Sequence, residues 1–433
     1  MRNGEAGKST VSAIATAIGE RLGQRVYYGW VVVAALALTE TVSWGILYYA
    51  FSVFLVPMRR ELGWSDATLT GAYSLALLVS GLAAPFVGRW IDRRGPRALM
   101  TAGSALGVLL VLAWSLVGGG AAYYAVWAGI GLAMAATLYD PAFAAITAWF
   151  ERDRAKAFLA VTVAAGFAST IFLPVSGWLV AALGWRPALI ALALVLAVLT
   201  IPPHAVLLRR RPEDLGLPPD GRTPTESVPA AAAHRPTGVQ LGAAVRDPAF
   251  WWLALAFSLE TLSTTAVAVH LIPYLTDRGD GAPFAAAATG LIGAFQVAAR
   301  ILATLFGTRL SQVALTGLVF ALQAVALVVL LEWRSTGGVL AAVVLLGMGR
   351  GVVTLMRAGL VAEFYGRRHY GAINGTLALF LTGARALAPV GSGLALAVAG
   401  GYRPVFWGLA GVSLLGSGAM VGVSRVRRLR PVG

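Results

Sequence analysis

Arg300 and Arg385 stand in stretches that are otherwise apolar, "QVAARILATLFG" and "LTGARALAPVG". Arg350 and Arg357 are seven residues apart in "GRGVVTLMRAG", which puts them two turns apart on one helix face. Glu40 in "ALALTET" and Glu260 in "ALAFSLET" are acids in similar surroundings. A guanidinium can donate two parallel hydrogen bonds to a carboxylate, so Arg300 and Arg385 are the residues expected to hold an anion. A buried carboxyl can neutralise an arginine or carry a proton, and either role suits Glu40 and Glu260. Trp44 and Tyr48 are one turn apart and can form an aromatic wall beside a small ligand, or serve ordinary helix packing. His270 is expected to be a hydrogen-bonded structural histidine.

The composition explains why these charges are unusual. The chain has 433 residues, 58% hydrophobic and 12% charged, where a soluble domain carries about 25% charged residues. Apolar stretches of the roughly 20 residues needed to cross a bilayer recur along it. Twelve are read, at 28–56, 68–90, 98–118, 121–148, 156–183, 186–207, 249–275, 284–308, 312–331, 336–364, 371–399 and 403–424. The fold class is therefore an all-α polytopic membrane protein of twelve transmembrane helices. A proline- and charge-rich stretch at 209–247 divides them into a six-helix bundle at 27–208 and another at 248–424, flanked by tails at 1–26 and 425–433. "STVSAIATAIGERLG" in the first tail reads as a short surface helix or as unstructured chain.

The halves echo each other. Glu40 and Glu260 lie mid-way along equivalent segments, and "GWR" at 184–186 is matched by "GYR" at 401–403. Such pseudo-repeats are typical of secondary transporters, whose binding sites lie near the midplane. Of 34 Lys and Arg, 24 fall in the tails and the loops after segments 2, 4, 6, 8 and 10. Both termini and the 209–247 linker are thus expected to be cytoplasmic, in the cell membrane. The net charge of +15 then reflects basic loops beside anionic lipid, and no nucleic-acid partner is expected. With no cysteine and four scattered histidines, no metal or cofactor is expected. The absence of an HExxH pattern or a phosphate loop argues against an enzyme, and the linker is too polar and proline-rich to fold as a sensor domain.

After segment 2 comes "GRWIDRRGPR", with Gly88, Asp92, Arg93 and Arg97 in the pattern G-x-x-x-D-R-x-G-x-R. This resembles the signature loop of the major facilitator superfamily. The resemblance implies that fold, with Asp92 pairing with a nearby arginine or a helix N-terminus to lock one conformation. "FGTRLS" at 306–311 is its second-half counterpart and lacks the aspartate. "YYGWVVVAALALTETVSWGILYYAFSVFLVPMRRELGWS", "RRRPEDLGLPPDG" and "HLIPYLTDRG" are similar to the monocarboxylate transporter and oxalate–formate antiporter branch. That branch implies a small anionic substrate held by Arg300 and, approximately, Arg385, with protons as coupling ion or anion exchange instead. The chain departs from the branch in carrying Glu40 where a lysine is common in segment 1. It also has Gln296 where an acid is common one turn before Arg300.

Each intramembrane arginine costs about 2.5–3.5 kcal/mol, so the four together cost on the order of 10 kcal/mol. Arg300 lies about nine residues, or roughly 13 Å, from the end of its segment. An anionic substrate at Arg300 and Arg385, with Gln296, Trp44 and Tyr48 around it, is the expected offset. Asp140, Arg350 and Arg357 are assigned to gating or structural pairing. The expected activity is carriage of a mono- or dicarboxylate by a monomer in the bilayer. The alternative is export of drugs or a secondary metabolite, with the glutamates attracting cationic compounds.

Overall fold

In a computed structural model the described residues are 27–221, 238–306 and 311–429. The surface helix proposed at the N-terminus, and Gly307 and Arg309 of "FGTRLS", lie outside them. Eleven helices among the described residues are long and apolar enough to cross a membrane. A twelfth, Ala282–Phe306, contains the shorter apolar stretch Ala287–Leu302. The chain is a multi-pass membrane protein, with segment positions close to those read from the sequence.

Local chemistry sets the ends of these segments. Gly63 closes the first with a left-handed residue at φ 68°, and Ser65 caps the second by accepting from the Thr68 N–H at 3.1 Å. Gly95 at φ 79° and Pro96 make the abrupt turn into the third. Among the described residues three segments are interrupted inside, the fifth segment at Phe167, between Arg154–Gly166 and Ala168–Leu183. In the first, Trp44–Tyr49 forms a π-helical turn where Gly45 lies against the Phe172 ring. In the fourth, Pro141 supplies no N–H to the preceding turn, and the chain opens at Leu138 between Gly120–Thr137 and Tyr139–Trp149. Asp140 therefore falls in the first turn of a new half-helix, where the dipole favours an acid.

The chain forms two compact units, Met1–Gly238 with Gly366–Gly375, and Val239–Tyr365 with Thr376–Gly433. The first is centred on Phe54, Trp114, Trp127 and Tyr123, the second on Leu271, Tyr274, Leu327 and Phe406. Large apolar side chains also point outward, with Phe86 and Trp178 each 68% exposed. Such exposure suits a lipid environment.

The paired "GWR" and "GYR" turns do matching work. Arg186 pairs with Glu61 at 2.9 Å and donates to the Ser115 and Val117 carbonyls at 2.7 and 2.9 Å. It thereby satisfies the end of the third segment. Arg403 pairs with Glu332, the last residue of the ninth segment, at 2.7 Å. Hydrogen bonds from Arg186 and then from the Trp185 indole hold the Glu61 carboxyl below its ordinary value of 4.5. Because that value is lowered on folding, the pairing stabilises the fold above pH 4.5 and its contribution fades as pH falls below it. Arg186→Ala is expected to cost about 1 kcal/mol and lower Tm by a few degrees at neutral pH. The difference from the parent should shrink toward pH 4, checked by scanning fluorimetry in detergent at both pH values.

Candidate functional site

In the first unit, the polar centre lies between the first and fourth segments. Glu40 is fully buried, and its Oε2 accepts the Trp44 indole N–H at 3.0 Å. Its Oε1 has no hydrogen-bond donor among the described residues. The charge acting on Glu40 within this unit is that of Asp140, a second acid. Trp44 packs against Tyr48 and Tyr139, each with ring centroids 4.9 Å away, and Tyr48 reaches Tyr73 at 5.7 Å. The π-helical turn starting at Trp44 sets this spacing, because it changes the angular offset between successive side chains. Trp44 and Tyr48 are each half-buried, so this wall of rings is partly open.

The signature loop holds the start of the eleventh segment, Tyr370–Ala399. Asp92 accepts the Gly371 and Ala372 N–H groups at 2.9 and 2.8 Å, one on each carboxylate oxygen. Two orphan donors of a helix N-terminus are thereby met by a negative charge. The contact depends on glycine. A Cβ on Gly88 would fall on the Gly371 carbonyl, and one on Gly375 would fall on the Ala84 carbonyl. Gly88 and Asp92 are four residues apart and so share a helix face, which is the reason for that part of the motif. Arg93 and Arg97 are exposed; Asp92 is hydrogen-bonded to the helix N-terminus, and the charge of Arg211 also acts on it. Asn374, half a turn further on, donates to Asp140 at 3.0 Å. Asn374 was not singled out in the sequence, although a buried asparagine in an apolar segment was a usable signal.

In the second unit, Arg300 is 6% exposed and its Nε donates to the Gly351 carbonyl at 3.1 Å. Glycine again makes the approach possible. Gly351 lies against the Gln296 backbone and Gly347 against Phe295 and Ile292, so the eighth and tenth segments meet along this small-residue stripe. Gln296 is half-buried beside it. Glu260 is 1% exposed, with Ser263 and Ser413 close by, 3.0 Å from each other. Arg350 acts on Glu260 through its charge. Arg350 and Arg357 are both half-buried on the tenth segment, whereas Arg385 is exposed on the eleventh. His270 donates to or accepts from Ser392 at 2.9 Å, the structural pairing expected of it.

A family model described as Major Facilitator Superfamily matches residues 35–389. The chain belongs to the major facilitator superfamily. Among its relatives, the chain is 25% identical over 369 residues to the MFS transporter asaE of Aspergillus flavus, covering 84% of this chain and 78% of the relative. It is 28% identical over 264 residues to monocarboxylate transporter 11 of Homo sapiens, covering 59% of this chain and 51% of that protein. The chain thus spans about half the length of that carrier. The solved structure of the human organic anion transporter MFSD10 superposes with a TM-score of 0.69 at 17% identity, covering 90% of this chain and 99% of that one. At that identity the likeness is one of fold. Membership of the superfamily makes the chain a membrane transporter.

The glycine contacts make a direct prediction. Gly351→Val should drive a side chain into the Gln296 backbone and cost roughly 1–3 kcal/mol. A fall in Tm of several degrees in detergent is expected, while Gly408→Ala, at a position with open space around it, should leave Tm within a degree. Equal Tm values for Gly351→Val and the parent would contradict the contact.

Proposed function

We propose that this superfamily member carries a small organic anion, a mono- or dicarboxylate, across the cell membrane by alternating access, in proton symport or by anion exchange. The observation that carries this reading is Arg300. It is a cation deep in an apolar helix, fixed through Nε to the Gly351 carbonyl rather than free to extend toward a membrane surface. A guanidinium anchored by one nitrogen has its planar fork pre-set, which lowers the ordering cost of gripping a carboxylate. The likeness to monocarboxylate carriers supports the same substrate class. Arg385, exposed on the eleventh segment, is the second cation assigned to the anion. Gln296 lies one turn before Arg300 and supplies a neutral hydrogen-bonding group to the same ligand.

Glu40 and Glu260 are assigned to coupling. A carboxyl in either setting is costly to keep charged without a partner, so protonation and re-pairing can be tied to the transport cycle. The clustering of basic residues in alternate loops supports a cytoplasmic position for both termini and the linker, and the carrier is assigned to work as a monomer. Asp92 with Gly88, Asp140 with Asn374, and Arg350 with Arg357 serve gating.

A second reading, export of an amphipathic or cationic compound, is favoured by the wall of Trp44, Tyr48 and Tyr139 beside Glu40 and Asp140. Aromatic faces and carboxylates attract cations. The two readings separate experimentally. In proteoliposomes, Arg300→Gln should reduce uptake of a radiolabelled mono- or dicarboxylate at least tenfold, and Arg300→Lys should retain part of it because charge survives without the fork. Undiminished uptake by Arg300→Gln would remove the anion assignment. Drug susceptibility that changes on deletion and follows Glu40→Gln, with no carboxylate uptake, would install the export reading.

A further inference from the structure

Asp220 is the one non-glycine residue among the described residues with a positive φ, at 58°. Aspartate tolerates the left-handed region better than most residues, but the conformation still has to be held by its surroundings. What holds it is a ring of backbone donors. The Asp220 carboxylate accepts from the N–H groups of Glu151, Arg152 and Asp153, at 2.9–3.3 Å. These residues lead into the helix Arg154–Gly166, so Asp220 closes the start of the fifth segment from far along the chain.

The rest of this stretch is equally tied down. Composition marks 209–247 as open, solvated chain, yet its first part, 209–221, is folded onto the first unit. Pro212–Leu215 and Pro219–Gly221 form two 3-10 turns, with Gly216 and Gly221 also left-handed. The Arg209 carbonyl accepts the Trp149 indole N–H at 3.3 Å. Arg210 packs over Gly95 at the end of the signature loop, and Tyr27 packs over Gly221. Tyr27 also donates its hydroxyl to the Trp149 carbonyl at 2.9 Å. Proline and left-handed glycine, which break long helices, here bend the strap so that it follows the surface.

The strap also reaches the turn before the eleventh segment. Arg367 has a side chain only 8% exposed, with Nε 3.0 Å from a Glu151 carboxylate oxygen and Nη2 3.6 Å from Glu213 Oε1. Its Nη1 donates to the Ala148 carbonyl at 3.0 Å. Four residues later the same stretch is held by Asp92, through Gly371 and Ala372, and then by Asp140, through Asn374. The charge of Arg211, at the start of the strap, acts on Asp92 and on His369. Strap, signature loop and fourth-to-fifth loop therefore all grip one short piece of chain, 366–375.

We propose that residues 209–221 are a working part of the gate: a latch that, together with Asp92, holds the turn at 366–375 and must release it for the carrier to change state. Glu213 is the hook on Arg367, and Asp220 fixes both the strap and Glu151, which is Arg367's other partner. The strap thus acts through the residues it positions and not through the transported substrate. Neither the signature motif nor the linker composition assigns it this role.

Hydrogen–deuterium exchange on the full chain in detergent tests this without a known substrate. The peptide covering 366–376 contains the Gly371 and Ala372 amides, whose protection reports on the latch. Glu213→Gln should raise exchange in this peptide at least about fivefold. Asp220→Gly keeps the left-handed conformation accessible but removes the carboxylate, and should do the same. Asp220→Asn keeps an acceptor and should fall between. The 402–429 peptide serves as the folding control and should be unchanged in each variant. If Asp220→Gly accelerates exchange only at 151–153, and Glu213→Gln leaves 366–376 at the parent rate, the strap is a local helix cap and the proposal is overturned. Should Asp220→Gly not yield folded protein, Glu213→Gln alone decides. None of these outcomes depends on whether the substrate is an anion.

Discussion

A bilayer interior supplies no hydrogen bonds, so each backbone group inside it must find a partner within the protein. This chain meets that demand with long helices, and its special features occur where a helix is interrupted or begins. Pro141 opens the fourth segment and leaves Asp140 at a new N-terminus, where Asn374 meets it. The eleventh segment starts with two amides that Asp92 accepts. The loop before the fifth segment offers three more, and Asp220 accepts them. In the last two cases a carboxylate far away in sequence answers orphaned donors, in the first a distant amide side chain meets the local carboxylate, and each local necessity becomes a long-range tie.

Those ties need close approach, and glycine provides it. Gly88 and Gly375 let backbones meet at the signature loop, while Gly347 and Gly351 let the eighth segment lie against the tenth. In hydrocarbon there is little hydrophobic drive between helices, so packing at such points contributes much of the association. The Gly351 contact also fixes Arg300, because the carbonyl that accepts its Nε belongs to the glycine that makes room for Gln296. Packing and chemistry share one residue there.

The charged residues divide by environment. Arg186 and Arg403 pair with carboxylates at the ends of segments, where partial hydration keeps ion pairs modest in value. Glu40 and Glu260 are buried in largely apolar segments, Glu40 beside a tryptophan and Glu260 near a pair of serines, where a charge is costly and a change of protonation or partner has a large effect. In the sequence these glutamates suit either pairing with an arginine or carrying a proton. Inside their own units the charges acting on them are those of Asp140 for Glu40 and Arg350 for Glu260. Neither neighbour is legible in the sequence, because neither is fixed by helical spacing; each lies on another segment.

Apolar runs of bilayer length, basic residues concentrated in alternate loops and the G-x-x-x-D signature were enough to determine a twelve-segment membrane carrier, because hydrophobic length and charge placement act along the chain itself. The same local logic located Arg300, Glu40 and Glu260 as exceptional. Which groups they meet was decided only by tertiary structure, since contacts between segments depend on helix rotation and on where glycine lets backbones close. The strap at 209–221 shows the limit most plainly. Its prolines and charges read as loose linker, and only folding brought Asp220 to the 151–153 amides and Glu213 to Arg367, which lie 67–69 and 154 residues away.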